Sequence, residues 1–151
     1  MPVALVTDST ASLPAELTTE RDITVVPLQV VIGATSYDEG TDGGVTPEML
    51  AEALRAWTPV STSRPNPDQM LEVYERLAKG GATEIVSIHL SGELSGTFES
   101  AQLAARQASV PVLAVDSRQV GMATGFAVLS AADARDGGAE AAAGAAPART
   151  A

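Results

Sequence analysis

Cysteine is absent from this 151-residue sequence, and aromatic residues are scarce. The lack of cysteine excludes disulfides, thiolate nucleophiles and cysteine-type zinc sites. Aromatic residues make up 3% of the chain and apolar residues 45%, so a core has to be built mainly from many small contacts between Ala, Val, Leu and Ile. This composition favours helices packed on a sheet.

Basic residues are also few, since there are nine of them, only one a lysine, against 19 acidic residues. A net charge of −10 opposes nucleic-acid phosphates and argues against nucleic-acid binding. No apolar run approaches the roughly 20 residues of a membrane span. The N-terminus reaches Asp8 without the basic region of a signal peptide. We therefore expect a cytoplasmic protein with no transmembrane segment.

Apolar runs alternate with helical patterns along most of the chain. This alternation predicts an α/β fold, a three-layer sandwich with a mostly parallel central sheet and helices on both faces. We expect one domain over residues 1–136 and a frayed Ala/Gly-rich tail over 137–151. Helix starts are predicted at Thr46–Glu48 and Asn66–Gln69, where a capping residue precedes proline. The pattern indicates a turn after Ile32 and a polar connection at Val60–Pro65.

The stretch from Glu84 to Thr97 predicts a strand, a polar loop and the start of a helix. Its first half is almost continuously apolar, as in a strand covered on both faces. The loop then brings hydroxyl groups and glycines to a helix N-terminus: Ser91, Gly92, Ser95, Gly96 and Thr97. Such a corner suits an anion.

Other polar residues are expected at the same edge of the sheet, where ligands bind in folds of this class. They are Asp8, Ser9, Thr62, Ser63, Asp116 and Ser117. Each alone is more often a cap or turn residue than a ligand. Together, uncharged donors at converging strand ends favour an anion site over capping alone.

Catalysis is the alternative interpretation, a small α/β hydrolase or phosphotransferase that uses Ser95 or Asp8. Ser95, His89 and Asp8 are the residue types of a nucleophile, base and acid. However, the sequence around Ser95 is not a G-x-S-x-G elbow, and His89 lies within the apolar strand. A structural or pocket-lining His89 is therefore favoured over a catalytic base. An aspartyl phosphotransferase would need a second acidic residue where Thr10 stands, so Asp8 and Ser9 are expected to cap local N–H groups.

The polar motifs resemble those of the DegV family, bacterial fatty-acid-binding proteins that serve a fatty acid kinase. The similarity covers most of residues 3–130. The matching segments, in order, are Val6–Thr10, Val26–Leu28 with Tyr37–Gly40, Ser61–Pro65, Leu90–Phe98 with Ser100–Ala101, and Asp116–Ser117 with Gly121 and Gly125.

This resemblance implies a carrier, not an enzyme, that needs no cofactor. It would bury the chain of one long-chain fatty acid in a tunnel and present the carboxyl group to a separate dihydroxyacetone-kinase-like fatty acid kinase. Thr62 and Ser95 match the positions that hydrogen-bond the carboxylate, with Ser63 and the amides near Gly96 as neighbours. The candidates for the surrounding pocket are Asp8, Ser9, Arg64, His89, Ser91, Thr97, Asp116 and Ser117.

Two departures from the family pattern bear on these expectations. Arg64 stands where the family usually has Gln, and either adds a cation near the head group or lies on the surface. Family members also carry a second domain that closes the acyl tunnel, and we expect this chain to be a shortened form without it. A third interpretation is an interaction-only domain that self-associates through the apolar surface the second domain would cover.

Overall fold

The computed structural model describes residues 3–38 and 44–138. Gly40 of the predicted turn and the predicted tail beyond residue 138 lie outside these ranges. In chain order the elements are β1 (Val3–Asp8), α1 (Ala15–Glu20), β2 (Ile23–Val26), β3 (Gln29–Ile32), β4 (Thr35–Asp38), α2 (Pro47–Arg55), β5 (Val60–Ser63), α3 (Pro67–Lys79), β6 (Glu84–His89), α4 (Thr97–Ala105), β7 (Val112–Asp116) and α5 (Met122–Asp136).

The central sheet has four parallel strands in the order β2-β1-β6-β7. Its two middle strands are almost wholly buried, which explains why they read as continuous apolar runs instead of alternating patterns. Helices cover both faces, as the sequence predicts.

Small side chains on the helices form much of the contact with the sheet. On one face, α5 packs Ala127, Val128, Ala131 and Ala132 against strand residues such as Val86. On the other face, α3 and α4 contribute Met70, Tyr74, Ala101 and Ala104. The expectation of a core with few aromatic residues is met, because a single buried tyrosine lies in these two clusters.

A second sheet was not predicted from the sequence. It is antiparallel, with the order β4-β3-β5. The predicted turn region therefore contains a strand, Thr35–Asp38, and the predicted polar connection contains another, Val60–Ser63. Both are largely exposed edge strands that pair with β3, so neither carries the apolar pattern by which strands are recognised.

The predicted helix starts are confirmed by their caps. The Thr46 hydroxyl accepts a hydrogen bond from the Met49 N–H at 3.1 Å. At the start of α3, the Asn66 side chain accepts from the Gln69 N–H, and the Gln69 side chain accepts from the Asn66 N–H. This reciprocal capping fixes the start of α3 four residues after β5 ends.

Gly125 lets α5 approach the short 3₁₀ helix Ser9–Ala11, which directly follows β1. A Cβ atom on Gly125 would lie 2.6 Å from the Ala11 carbonyl oxygen and 3.1 Å from the Leu13 side chain. Because the nearer atom belongs to the backbone, it cannot move aside by a change of rotamer. Gly125 therefore sets the distance between α5 and the end of β1.

We expect Gly125→Ala to lower the free energy of unfolding by about 1–3 kcal/mol, because the added methyl group overpacks this contact. Urea denaturation followed by circular dichroism measures the change. Gly137→Ala is the matched control, since a Cβ there would lie 3.5 Å from its nearest neighbour, and it is expected to leave stability unchanged or slightly raised. Equal stabilities for the two variants would contradict the assignment.

Candidate functional site

The carboxyl ends of the parallel strands meet at one edge of the sheet. Thr7 pairs with Ile88, and His89 pairs with Asp116, so β1, β6 and β7 end side by side. Asp8 and Asp116, two of the polar residues expected at strand ends, therefore lie at the same edge of the sheet, on either side of His89.

A buried chain of polar side chains runs beneath this edge. The Tyr74 hydroxyl donates to Ser87 Oγ at 2.7 Å, and Ser87 Oγ lies 2.6 Å from His89 Nε2. On the other side of the ring, His89 Nδ1 lies 2.9 Å from Asp8 Oδ2. All four side chains are fully buried. If each hydroxyl donates to the next group, the imidazole accepts at Nε2 and donates its Nδ1–H to Asp8.

Asp8 is the end point of this chain and contacts several further donors. Its Oδ1 accepts from the N–H and hydroxyl of Thr10, and its Oδ2 also accepts from the Leu90 N–H at 3.3 Å. Burial acts to raise the pKa of Asp8, but the interactions with His89 and the hydrogen bonds from Thr10 outweigh it and lower the pKa. Asp8 therefore joins the end of β1 to the first residue of the polar loop as a carboxylate.

Ser87, His89 and Asp8 have the contacts of a hydrolase triad, yet they are sealed from solvent. Ser87 is 0% exposed and accepts a hydrogen bond from Tyr74, so its oxygen faces no space for a substrate. His89 is fully enclosed as well. Its prediction as a pocket-lining residue is wrong, because its strand position points the ring into the interface with α3 and α4. His89 therefore has the structural role, which was the other part of the prediction.

The polar loop folds back on itself and starts α4. The Ser91 carbonyl accepts from the N–H groups of Leu94 and Ser95, and the Ser91 hydroxyl accepts from that of Glu93. Ser95 Oγ lies 3.0 Å from Thr97 Oγ1 and accepts from the Thr97 N–H at 3.3 Å. Ser95 stays half-buried, whereas Thr97 is enclosed. Of these two hydroxyls, only that of Ser95 belongs to a side chain with exposed surface.

Arg64 connects this loop to the end of β5. Its side chain lies across Gly96, where a Cβ atom would come within 2.6 Å of the guanidinium carbon and 2.7 Å of Cδ. Since Arg64 follows Ser63 in the chain, the contact brings the Thr62–Ser63 segment and the Ser95 loop to one place. Thr62 and Ser63 are both exposed.

Asp116 and Ser117 fall on the other side of the polar loop. A shallow depression there is lined by Ser91, Glu93, Asp116 and Arg118. Asp116 Oδ1 accepts from the Arg118 N–H at 2.8 Å, and Ser117 is buried, with its hydroxyl 3.1 Å from that of Thr124. Two carboxylates and one guanidinium line this depression, so its formal charge is −1 and does not favour an anion.

Ser9 has a different partner from the one predicted. Its hydroxyl accepts from the N–H of Leu28, 19 residues along the chain, at 3.0 Å, so it is a tether between β1 and the start of β3 and not a local cap.

Ser87 and Tyr74 were missed by the sequence analysis. Ser87 stands two residues before His89, and this spacing puts both on one face of the strand. This spacing is the sequence signal by which Ser87 could have been identified as a neighbour of His89.

Several apolar side chains are exposed in the segments that follow β6 and β7. Phe126 is 60% exposed and Leu94 65%, and Val120 and Met122 are also partly exposed. Within the described residues, no helix is long and apolar enough to cross a membrane, and the described His, Asp and Glu side chains form no cluster that could hold a metal ion.

The model of the DegV protein family matches residues 2–146 of the chain. The chain belongs to the DegV family. A DegV domain-containing protein of Streptomyces coelicolor is 51% identical over 136 residues, which are 90% of this chain and 48% of that protein. A DegV domain-containing protein of Deinococcus radiodurans is 38% identical over 88% of this chain and 47% of its own length. The chain thus spans about half the length of these curated relatives.

Solved DegV structures share the fold. A Thermus thermophilus DegV family protein described as binding fatty acid aligns with a TM-score of 0.90 and 34% identity, over 99% of this chain and 53% of that one. DegV of Bacillus subtilis, described as a fatty acid binding protein, aligns with a TM-score of 0.91 and 31% identity over the same shares. The predicted fold class and family are both confirmed.

The depressed pKa of Asp8 gives a pH-dependent contribution to stability. A carboxyl group with a lowered pKa in the folded state stabilises above its unfolded pKa of about 4, and this contribution is lost as the pH falls toward the folded value. We expect Asp8→Asn to lower the free energy of unfolding at pH 7 by about 3 kcal/mol or more, because it breaks a buried pair.

Urea unfolding of both proteins from pH 7 to pH 3 measures this contribution. The difference between wild type and Asp8→Asn should be widest at neutral pH and narrow below about pH 4. A difference that stays constant over the whole range would show that Asp8 does not act through its charge.

Proposed function

We propose that this chain binds a long-chain fatty acid and holds its carboxylate through the hydroxyls of Thr62, Ser63 and Ser95 and the amide at Gly96. The protein acts as a carrier and catalyses no reaction itself. A separate, dihydroxyacetone-kinase-like fatty acid kinase then acts on the presented carboxyl group.

The contact between Arg64 and Gly96 is the observation that carries this proposal. It brings two hydroxyl-bearing segments together that are 33 positions apart in sequence, counted from Thr62 to Ser95. Hydroxyl and amide donors bind a carboxylate oxygen directly, and the groups lie at the edge where ligands bind in α/β sheets. Two structural relatives above 30% identity are described as fatty acid binding, which supports the choice of ligand.

Presentation to a kinase is supported by the position of Ser95. Its side chain is half-buried on a loop at the surface, so a carboxylate bound there has one side open to a second protein. The chain has no phosphate-binding loop of its own, because its one lysine, Lys79, is followed by glycine in the sequence Lys-Gly-Gly-Ala. The phosphoryl donor would therefore be held by the partner.

Gently purified protein is expected to release a fatty acid on solvent extraction, detected by mass spectrometry. Ser95→Ala and Thr62→Val should each weaken binding of added oleate by about 5-fold, the loss of one hydrogen bond of about 1 kcal/mol. Isothermal titration calorimetry measures the change.

Ser36→Ala is the matched control for these two variants. Ser36 is an exposed hydroxyl on β4, at the opposite edge of the small sheet from Thr62, so its removal should not alter oleate binding. Protein that carries no lipid and does not bind oleate would overturn the proposal.

The hydrolase interpretation has one structural observation in its favour, the Ser87–His89–Asp8 contacts. Ser95, the serine favoured from the sequence, contacts Thr97 and not an imidazole, and both oxygens of Asp8 are occupied by hydrogen bonds within the fold. The interpretation therefore depends on a serine that no substrate reaches.

A fluorophosphonate probe, which labels activated serines, is expected to leave the folded protein unmodified. The measurement is intact mass after overnight incubation, with a known serine hydrolase as positive control. Labelling mapped to Ser87 or Ser95 would contradict the carrier proposal and support the hydrolase interpretation.

Self-association through the exposed apolar surface around Leu94 and Phe126 stays a prediction. Apolar side chains of this size are usually covered where several lie together. Leu94 directly precedes Ser95 in the polar loop, so a protein that covered Leu94 would also approach Ser95.

A further inference from the structure

We propose that Arg64 makes this site selective for an ionised head group over a neutral one of the same shape. The inference rests on the proposed function, because it concerns the same ligand. It goes further in assigning to one side chain the discrimination between a carboxylate and its uncharged analogues.

The position of Arg64 is the first step. The side chain lies flat over Gly96, with its Cδ and guanidinium carbon both in the space that a Cβ atom would fill. This directs the cation to the residue next to Ser95. Arg64 is an exposed residue, so its guanidinium lies on the surface and against the loop at the same time.

The charge environment of Arg64 is the second step. Some of the described arginines form ion pairs, as Arg21 does with Asp133 at 2.8 Å and Arg135 with Asp136 at 3.0 Å, whereas others, such as Arg106, do not. Within the described residues, Arg64 pairs with no carboxylate. Its charge is therefore available to a ligand, in a chain whose net charge of −10 otherwise repels anions.

The chemistry of the donors is the third step. Serine and threonine hydroxyls both donate and accept hydrogen bonds, so Ser95 and Thr62 satisfy a carboxylate, a primary amide or an alcohol about equally well. A guanidinium only donates and keeps its charge at all physiological pH values. Among these side chains it is the one that distinguishes an anion from a neutral group.

Gly96 is part of the same device. Its backbone has φ −79° and ψ 6°, a conformation that alanine also adopts, so Gly96→Ala causes no backbone strain. The new methyl group would instead collide with the Arg64 side chain. Gly96→Ala should therefore displace the guanidinium without changing the net charge.

The test compares laurate with lauramide on the full chain by isothermal titration calorimetry. We expect wild type to prefer laurate, and Arg64→Gln to weaken laurate binding about 2- to 5-fold while leaving lauramide unchanged, as for an exposed ion pair. Gly96→Ala should also weaken laurate binding, because it displaces the guanidinium. Arg106→Gln is the control, since Arg106 is exposed at the other end of α4 and its loss changes the net charge equally.

A second measurement reports on charge alone. With laurate labelled with ¹³C at its carboxyl carbon, NMR titration of the bound ligand should give a lower carboxyl pKa on wild type than on Arg64→Gln, because a nearby cation stabilises the carboxylate. A merely structural role for Arg64 would leave this pKa unchanged.

The outcomes distinguish failure of the proposed selectivity from failure of the proposed function. If wild type binds laurate and lauramide equally, or if Arg64→Gln and Arg106→Gln behave alike, the selectivity is overturned and fatty acid binding stands. If wild type binds neither laurate, lauramide nor oleate, the proposed function fails, and this inference fails with it.

Discussion

The buried contact between Asp8 and His89 is the interaction on which the candidate site depends. It joins the ends of the two central strands, and through Ser87 and Tyr74 it continues to α3. Asp8 also receives the N–H of Leu90, the residue that opens the polar loop. Burying a carboxylate is costly unless its oxygens are fully hydrogen-bonded, and here that requirement fixes three segments at one point.

The site is built outward from this point in two layers of different character. The inner layer is buried, and its polar groups contact each other. The outer layer consists of Ser95, Gly96 and the segment around Arg64, where hydroxyls and one cation have exposed surface. Residues of hydrolase type thus occupy the inner layer, where they hold the strands, and groups suited to binding occupy the outer one. This division explains why a chain with triad contacts is proposed to be a carrier.

Most of the central sheet could be predicted from the sequence, because β1 and β6 are buried on both faces and read as apolar runs. The starts of helices α2 and α3 could also be predicted, because their capping residues and prolines are local signals in the sequence. The antiparallel sheet was missed because β4 and β5 are short, polar edge strands. β4 forms a hairpin with β3, which directly precedes it, whereas β5 pairs with β3 from a distant part of the sequence. The pairing of His89 with Ser87 depends on strand facing, and the placement of Arg64 over Gly96 depends on tertiary structure that no local pattern encodes.

The alanine-rich faces of α4 and α5 have a consequence for how this fold tolerates change. Alanine has no methylene groups to lose, so substitutions to smaller residues remove little buried volume at these positions. Enlargement is different, because the helices lie close to the sheet and a larger side chain at Ala101, Ala104, Ala127 or Ala131 has no space to occupy. Substitutions on these helix faces are therefore limited by lack of space more than by loss of contacts. Amino-acid changes in the core are confined to the strand side of each helix–sheet interface.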